Sequence, residues 1–562
     1  MMNKNLLISL ALMAVPAVAQ EQKPMDHGTY AQLDNELLWH NTANTAGLEF
    51  DKTPNRGLAG LDYSYTGGDF YRAQEGTSTH NLQFSTESHQ QINNYLYGYG
   101  RFAFNNGRTK DRAWADVMRP YNSNPYFSGS SVPGRYDHQD MELTAAIGTS
   151  SFGKWHFGAR LDYALGDLSR LRDPRSRAQL LDYKLTPSAV YQLGKHAIGL
   201  AGWYNRRKEK INGLTTVQQD ATLKYYFMTG LENANGSTGG YSNFQREWVN
   251  HDFGAELSWS YAPMGGMKTL NSVTLQRGSE SVLGQYKYSP GHYYNYIYAF
   301  KSQTLIPNNG FTQRIDFKAR YEEGYADEYR QQLVITNDPQ TGLNSYHYET
   351  QLSFKKRYQV TVLDLGLHYR ISKHTVPLEW FYMGAIIDYK AVSNKYLLHT
   401  SEFQYESVNP ALEIGGKLGR ISVNMTSGYS FSTRSKLALA NSQTDYAKQV
   451  LLPDMKYYEL NYFFGHFDIV CDLPVNIKKT ATTLYAKAWC DSLETKKYGS
   501  DKLRKYQVGV SSVLSIEPSE RLFSKTIRAT RGGISAQGTS ASGAYSNPKR
   551  GRRSGYVRHV TF

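Results

Sequence analysis

The sequence predicts an all-β fold, a transmembrane antiparallel up-and-down β-barrel of about 18 strands. Three observations carry that prediction. The chain opens on an export-type leader, apolar and polar residues alternate with period two along its length, and long connections alternate with short ones.

The leader comes first. Met1-Met2-Asn3-Lys4 is followed by an apolar run from Leu6 to Val15 and by the small-residue triplet Ala17-Val18-Ala19. A charged start, a short apolar stretch and an A-x-A site form a secretory signal peptide. The run is about half the roughly 20 residues that a spanning helix needs, so a membrane anchor is the weaker reading. Cleavage is expected after Ala19, leaving residues 20–56 as a periplasmic segment ahead of the first strand. The residue after the expected cleavage point is Gln20 rather than a cysteine, so a lipid anchor is not expected.

The bulk composition agrees with a large barrel. Tyr accounts for 45 of the 562 residues, and such residues form the girdles at the two membrane–water interfaces. The mean hydropathy of −0.57 is compatible with a barrel, whose strands give only every second residue to lipid.

The alternation is clearest in Trp155, Phe157, Ala159, Leu161, Tyr163 and Leu165, whose alternates are His156, Gly158, Arg160, Asp162, Ala164 and Gly166. A helix would mix the two sets around its circumference, whereas a strand separates them onto two faces. The same pattern recurs at Phe253–Tyr261, Phe381–Tyr389, Leu363–Tyr369 and Ile315–Tyr321. Strands are expected near 57–65, 79–87, 94–105, 140–149, 154–166, 180–192, 195–207, 250–261, 267–277, 292–302, 311–322, 358–370, 378–390, 403–416, 420–431, 455–465, 480–489 and 504–514. Short links such as Leu193-Gly194 and Leu418-Gly419 alternate with long ones near 106–139, 208–249, 323–357 and 432–454. Tight turns at a periplasmic rim and long loops at an extracellular rim produce this rhythm. A soluble sandwich or propeller would put polar residues on its outer faces, where these segments carry Trp, Phe, Leu and Tyr.

The barrel is expected to occupy 57–514. Residues 515–562 break the pattern, with nine Lys/Arg against two acids and Ser/Gly-rich stretches. They are expected to be a basic, disordered tail. The net charge is +14, and half of it lies in this tail. Cys471 and Cys490 are expected at opposite ends of one strand, too far apart for a disulfide, and therefore as free thiols.

No metalloprotease, phosphate-loop, serine-hydrolase or paired-cysteine motif is present. No catalytic residue, cofactor, metal site or nucleic-acid partner is expected. Alternation assigns Arg160, Asp162, Glu256, Asp316, Lys318, Arg320, Asp364, His368, Arg370, Asp388, Glu413 and Lys417 to the lumen. Charges of mixed sign on an inner wall either stiffen it through cross-strand pairs or line a polar conduit. His156 with Asp162, and His368 with Asp364, lie six and four residues apart on one strand face. That spacing places them roughly 13–20 Å apart, too far for a catalytic dyad.

The leader, the Tyr/Gly-rich strands and the large loops resemble an uncharacterised bacterial outer-membrane β-barrel family. The resemblance covers most of 20–514 and implies no assigned activity. The wall chemistry is similar to that of TonB-dependent receptors, but about 35 mature residues ahead of the first strand are too few for their plug. The expected function is a channel or transporter for a small solute or nutrient in the Gram-negative outer membrane. The alternatives are a non-conducting barrel that docks surface lipoproteins or a receptor, and a membrane-embedded hydrolase. Outer-membrane lipids and the barrel-assembly machinery are the expected partners.

Overall fold

The computed structural model describes residues 36–51, 53, 55–118, 123–217, 222–239, 241–308, 310–375, 379–473, 481–496 and 502–517. The expected signal peptide, residues 20–35 and residues 518–562 of the expected tail lie outside the described residues, whereas residues 515–517, expected to begin that tail, continue the last strand.

Eighteen strands close into one antiparallel barrel. They run Arg56–Gly68, Ser78–Asn93, Leu96–Arg112, Gly134–Thr149, Trp155–Arg170, Arg177–Leu193, His196–Asn212, Gln245–Tyr261, Lys268–Gly284, Gly291–Asn308, Phe311–Asn337, Asn344–Thr375, Glu379–Tyr396, Ser401–Leu418, Ile421–Ala438, Tyr462–Leu473, Ala481–Lys496 and Lys502–Glu517. Each pairs with the next, and the last pairs with the first, with Gly57 opposite Ile516 and Gly68 opposite Lys505. Closure leaves no sheet edge, which is the condition for a β-structure to cross hydrocarbon. No helix among the described residues is long and apolar enough to cross a membrane.

The two faces of the wall follow the alternation. Trp155, Phe253, Trp259 and Phe381 point outward and are 47%, 61%, 42% and 46% exposed. Their neighbours on the strand, His156, Ser258, Ser260 and Tyr382, are buried on the inner side. The sign of burial is thus inverted relative to a soluble protein, because hydrocarbon rather than a protein core solvates the apolar set. Near the short-turn rim, Trp155 packs on Tyr191 at 4.8 Å and His196 on Tyr261 at 4.9 Å, forming part of an aromatic girdle.

The strands extend well beyond the expected ranges at the long-loop rim, because alternation there passes from apolar–polar to polar–polar and loses its contrast. Two expectations need correction. Residues 323–357 form no open loop. They continue the strands Phe311–Asn337 and Asn344–Thr375 into a hairpin that pairs as far as Asn337 with Asn344. The range 455–465 is not one strand. Leu452–Glu459 is an α-helix with Pro453 in its first turn, and the strand begins at Tyr462.

The cysteines are free, as expected, but on neighbouring strands rather than one. Cys490 faces Phe467 across the ladder, and Cys471 faces Ala486. Four register steps at ~3.4 Å separate them, beyond the reach of a disulfide.

Two further bodies occupy the ends of the lumen. At the long-loop rim a three-stranded sheet, Phe127–Ser130, Tyr225–Gly230 and Asn233–Ser237, joins the helical segment 447–459 to form a lid. Its core includes Trp114, Tyr126, Tyr226, Phe227, Met228, Tyr446 and Val450, packed onto wall residues Trp248, Tyr293, Tyr358 and Phe403. At the short-turn rim residues 36–51 fold against the inner wall, with Leu38, Trp39 and Ala46 packed on Val190, Ala197, Leu270 and Leu305. The sequence predicts a periplasmic segment over 20–56 and no plug, whereas the sixteen described residues 36–51 lie flat on the inner wall as a small plug.

Candidate functional site

Between the lid and the wall lies a chamber of about 610 Å³. That volume is within the roughly 300–1,000 Å³ of small-molecule sites. Its wall side is polar. Arg207 pairs with Glu280 at 3.1 Å, and Asn124 of the lid donates to the same carboxylate at 2.9 Å. Arg320 lies between Glu322 and Asp364, while Lys390 stands 3.7 Å from Asp364. Asn295 donates to Glu322 at 2.8 Å, and Asn205 donates to Asp182 at 2.6 Å. The lid side is aromatic and aliphatic, supplied by Met228, Leu231, Tyr446, Val450 and Leu451 and continued on the wall by Tyr358, Phe403 and Tyr405.

The lid is held by polar contacts as well as by its core. Trp114 Nε1 donates to Gln449 at 3.1 Å, and its ring lies 4.5 Å from Tyr226. Trp114 has a φ of 63°, a left-handed conformation held by this packing. Asp116 accepts from the hydroxyls of Tyr136 and Ser176, both at 2.5 Å. The loop 69–77 inserts Phe70 onto Tyr457 at 4.3 Å and places Arg72 against Tyr458 at 2.8 Å. Asp454, at the chamber's upper edge, accepts from the Ala73 backbone N–H at 3.0 Å. Burial pushes its carboxyl up to about 6, against the opposing pull of that N–H and of Arg72.

The small plug is seated by backbone contact. A Cβ on Gly158 would stand 2.4 Å from Ala46 N, and one on Gly148 would stand 2.5 Å from the Thr45 carbonyl oxygen. Glycine at these two lumen-facing positions lets the plug's backbone touch the wall. Asn44 Nδ2 donates to the Ala189 carbonyl at 3.1 Å, and Ala43 N donates to Glu256 at 2.9 Å. Within the segment, Asp51 accepts from Leu38 N, Trp39 N and His40 N at 3.0, 3.1 and 2.7 Å.

The twelve charged residues assigned to the lumen by alternation fall into three groups. Arg320 and Asp364 line the chamber. Glu256 holds the plug. The rest form wall networks nearer the short-turn rim. Arg160 pairs with Asp162 at 2.8 Å, Lys318 with Asp388 at 2.9 Å, and Lys417 with Asp472 at 2.5 Å. Glu413 accepts from Arg370 at 2.6 Å and contacts His368 at 2.7 Å, and Asp316 stands 3.9 Å from the same imidazole. These contacts stiffen the wall. Sequence reasoning missed Asp182, Arg207, Glu280 and Glu322 of the chamber. Glu322 lay within reach, two residues from Arg320 on the same face, but Glu280 is beyond the expected strand end.

Among solved structures the chain is similar to the outer membrane transporter YddB from Escherichia coli at 9% identity, with 83% of this chain and 81% of that one covered and a TM-score of 0.39. It is similar to the siderophore receptor PirA from Acinetobacter baumannii at 8% identity, covering 82% and 81%, with a TM-score of 0.34. It is also similar to the copper transporter OprC at 9% identity, covering 82% of this chain and 80% of that one, with a TM-score of 0.33. No curated protein matches the chain. Residues 45–514 match a family of unknown function (DUF6850), and the chain belongs to that family.

Proposed function

We propose that this barrel sits in the Gram-negative outer membrane and admits a small polar solute through a gated lumen. The observation that carries the reading is the chamber, which is neither an open pore nor a filled core. Its wall offers carboxylates, guanidinium groups and amides, and its lid offers aromatic faces. Such a mixture suits a solute with hydrogen-bonding groups of both kinds and some apolar surface. The lid over one rim and the plug against the other make passage depend on movement of chain segments. The proposal contains no chemical step, and its cellular partners are the surrounding lipids and the assembly machinery that inserts barrels.

A liposome-swelling assay with sugars and amino acids of graded size tests it. Wild-type barrel is expected to pass small solutes slowly. Trp114→Ala, which loosens the lid, is expected to raise the rate several-fold. Equal rates for both proteins, or no permeation by either, would count against a gated lumen.

The projecting hairpin supports a second reading, a barrel that docks a surface lipoprotein or receptor. Ile335, Leu343 and Leu352 are 57%, 70% and 54% exposed on it. Apolar side chains displayed beyond the wall in this way mark interaction surfaces. Co-purification that depends on this hairpin, together with silence in the swelling assay, would favour docking.

A further inference from the structure

The strand Ser78–Asn93 carries Glu87 and His89 two residues apart, hence on one face of the wall. The plug brings His40 to them. The imidazole nitrogens and carboxylate oxygens of His40, Glu87 and His89 offer ligand atoms that all lie within 4.8 Å of one another. Glu87 Oε1 and His89 Nε2 are 3.3 Å apart. Two ligands bound at about 2.0–2.1 Å to one tetrahedral ion stand roughly 3.3 Å from each other. Tyr99 packs against both rings, at 4.8 Å from His40 and 4.7 Å from His89, and restrains their planes.

We propose that His40, Glu87 and His89 form a binding site for a divalent transition-metal ion of the zinc type. Two imidazoles and one carboxylate match the three-ligand zinc sites that keep a fourth position open. Imidazole donors disfavour magnesium and calcium, which take oxygen ligands. Because two donors belong to the wall and the third to the plug, the bound ion clasps the 36–51 segment to the barrel. The competing account is purely ionic. Buried Arg56 acts electrostatically on Glu87 and offers the carboxylate a positive neighbour without any metal. That account predicts no metal uptake. The metal site does not depend on what passes through the lumen.

The test uses the purified full-length barrel in detergent, stripped with a chelator and titrated with Zn²⁺ by calorimetry. One equivalent is expected for the wild type. His40→Ala, His89→Ala and the near-isosteric Glu87→Gln are each expected to weaken binding at least tenfold. Heat-modifiable gel mobility identifies the variants that retain a folded barrel, and only those are compared. Replacement by Co²⁺ is expected to give the visible absorption of a tetrahedral site in the wild type and not in the variants. Absence of stoichiometric binding to the wild type, or variants that bind as it does, would overturn the proposal.

Discussion

At the scale of single residues, burial decides which charges matter. Glu413 is 6% exposed and holds Arg370 through two oxygens, at 2.6 and 2.7 Å. Removing one partner of such a pair leaves the other without compensation. Glu413→Gln is therefore expected to destabilise the barrel by about 3 kcal/mol, and Arg370→Gln added to it to restore part of the loss. The midpoint of heat-modifiable mobility reads both. Asp454 makes a different prediction. Its folded value of about 6 lies above the ordinary 3.8. The folded lid thus binds the proton more tightly than the open one, and its stability falls as the proton leaves. The contribution is fully present below pH 3.8 and is lost as pH rises through about 6. Hydrogen exchange across 447–459, corrected for intrinsic rates, is expected to show a better protected lid at pH 5 than at pH 8. Asp454→Asn, which keeps an acceptor for Ala73 N but cannot ionise, is expected to flatten that difference. An unchanged pH dependence in this variant would assign it to another group.

At the scale of elements, the plug and the lid differ in what holds them. The lid has its own apolar core around Trp114 and Tyr226, whereas the plug lies on the wall through glycine contacts. Gly158→Val places a branched side chain where Ala46 N now sits. The strand itself tolerates valine well. The barrel is expected to assemble, while the amides of Leu38, Trp39 and His40 are expected to exchange many-fold faster. Unaltered exchange at those amides would show that the plug is not seated on Gly158. These elements were also the least legible in the sequence. Residues 36–51 have no period of two or 3.6, and the meaning of Gly148 and Gly158 depends on a segment a hundred residues away. In the lid helix, Tyr457 and Tyr458 mimic the strand that follows, so the alternation runs on without a break into the helix.

At the scale of the whole molecule, the architecture was legible because hydrocarbon and water impose opposite demands on adjacent residues. Phe253, Ala255, Leu257 and Trp259 alternate with Gly254, Glu256 and Ser258, and no soluble fold would display the first set outward. The same alternation found Arg320 and Asp364 but could not find the chamber, which exists only because loop segments fold back over the rim. What distinguishes this barrel from a simple pore is the chain that lies inside it at both ends. Single-channel recording in planar bilayers tests that claim most directly, comparing the wild type with a variant whose residues 36–51 are replaced by a Gly/Ser linker of equal length. Small, infrequent conductance from the wild type and a several-fold larger, steadier conductance from the variant are predicted. Equally large currents from both, or none from either, would contradict a lumen gated by its own chain.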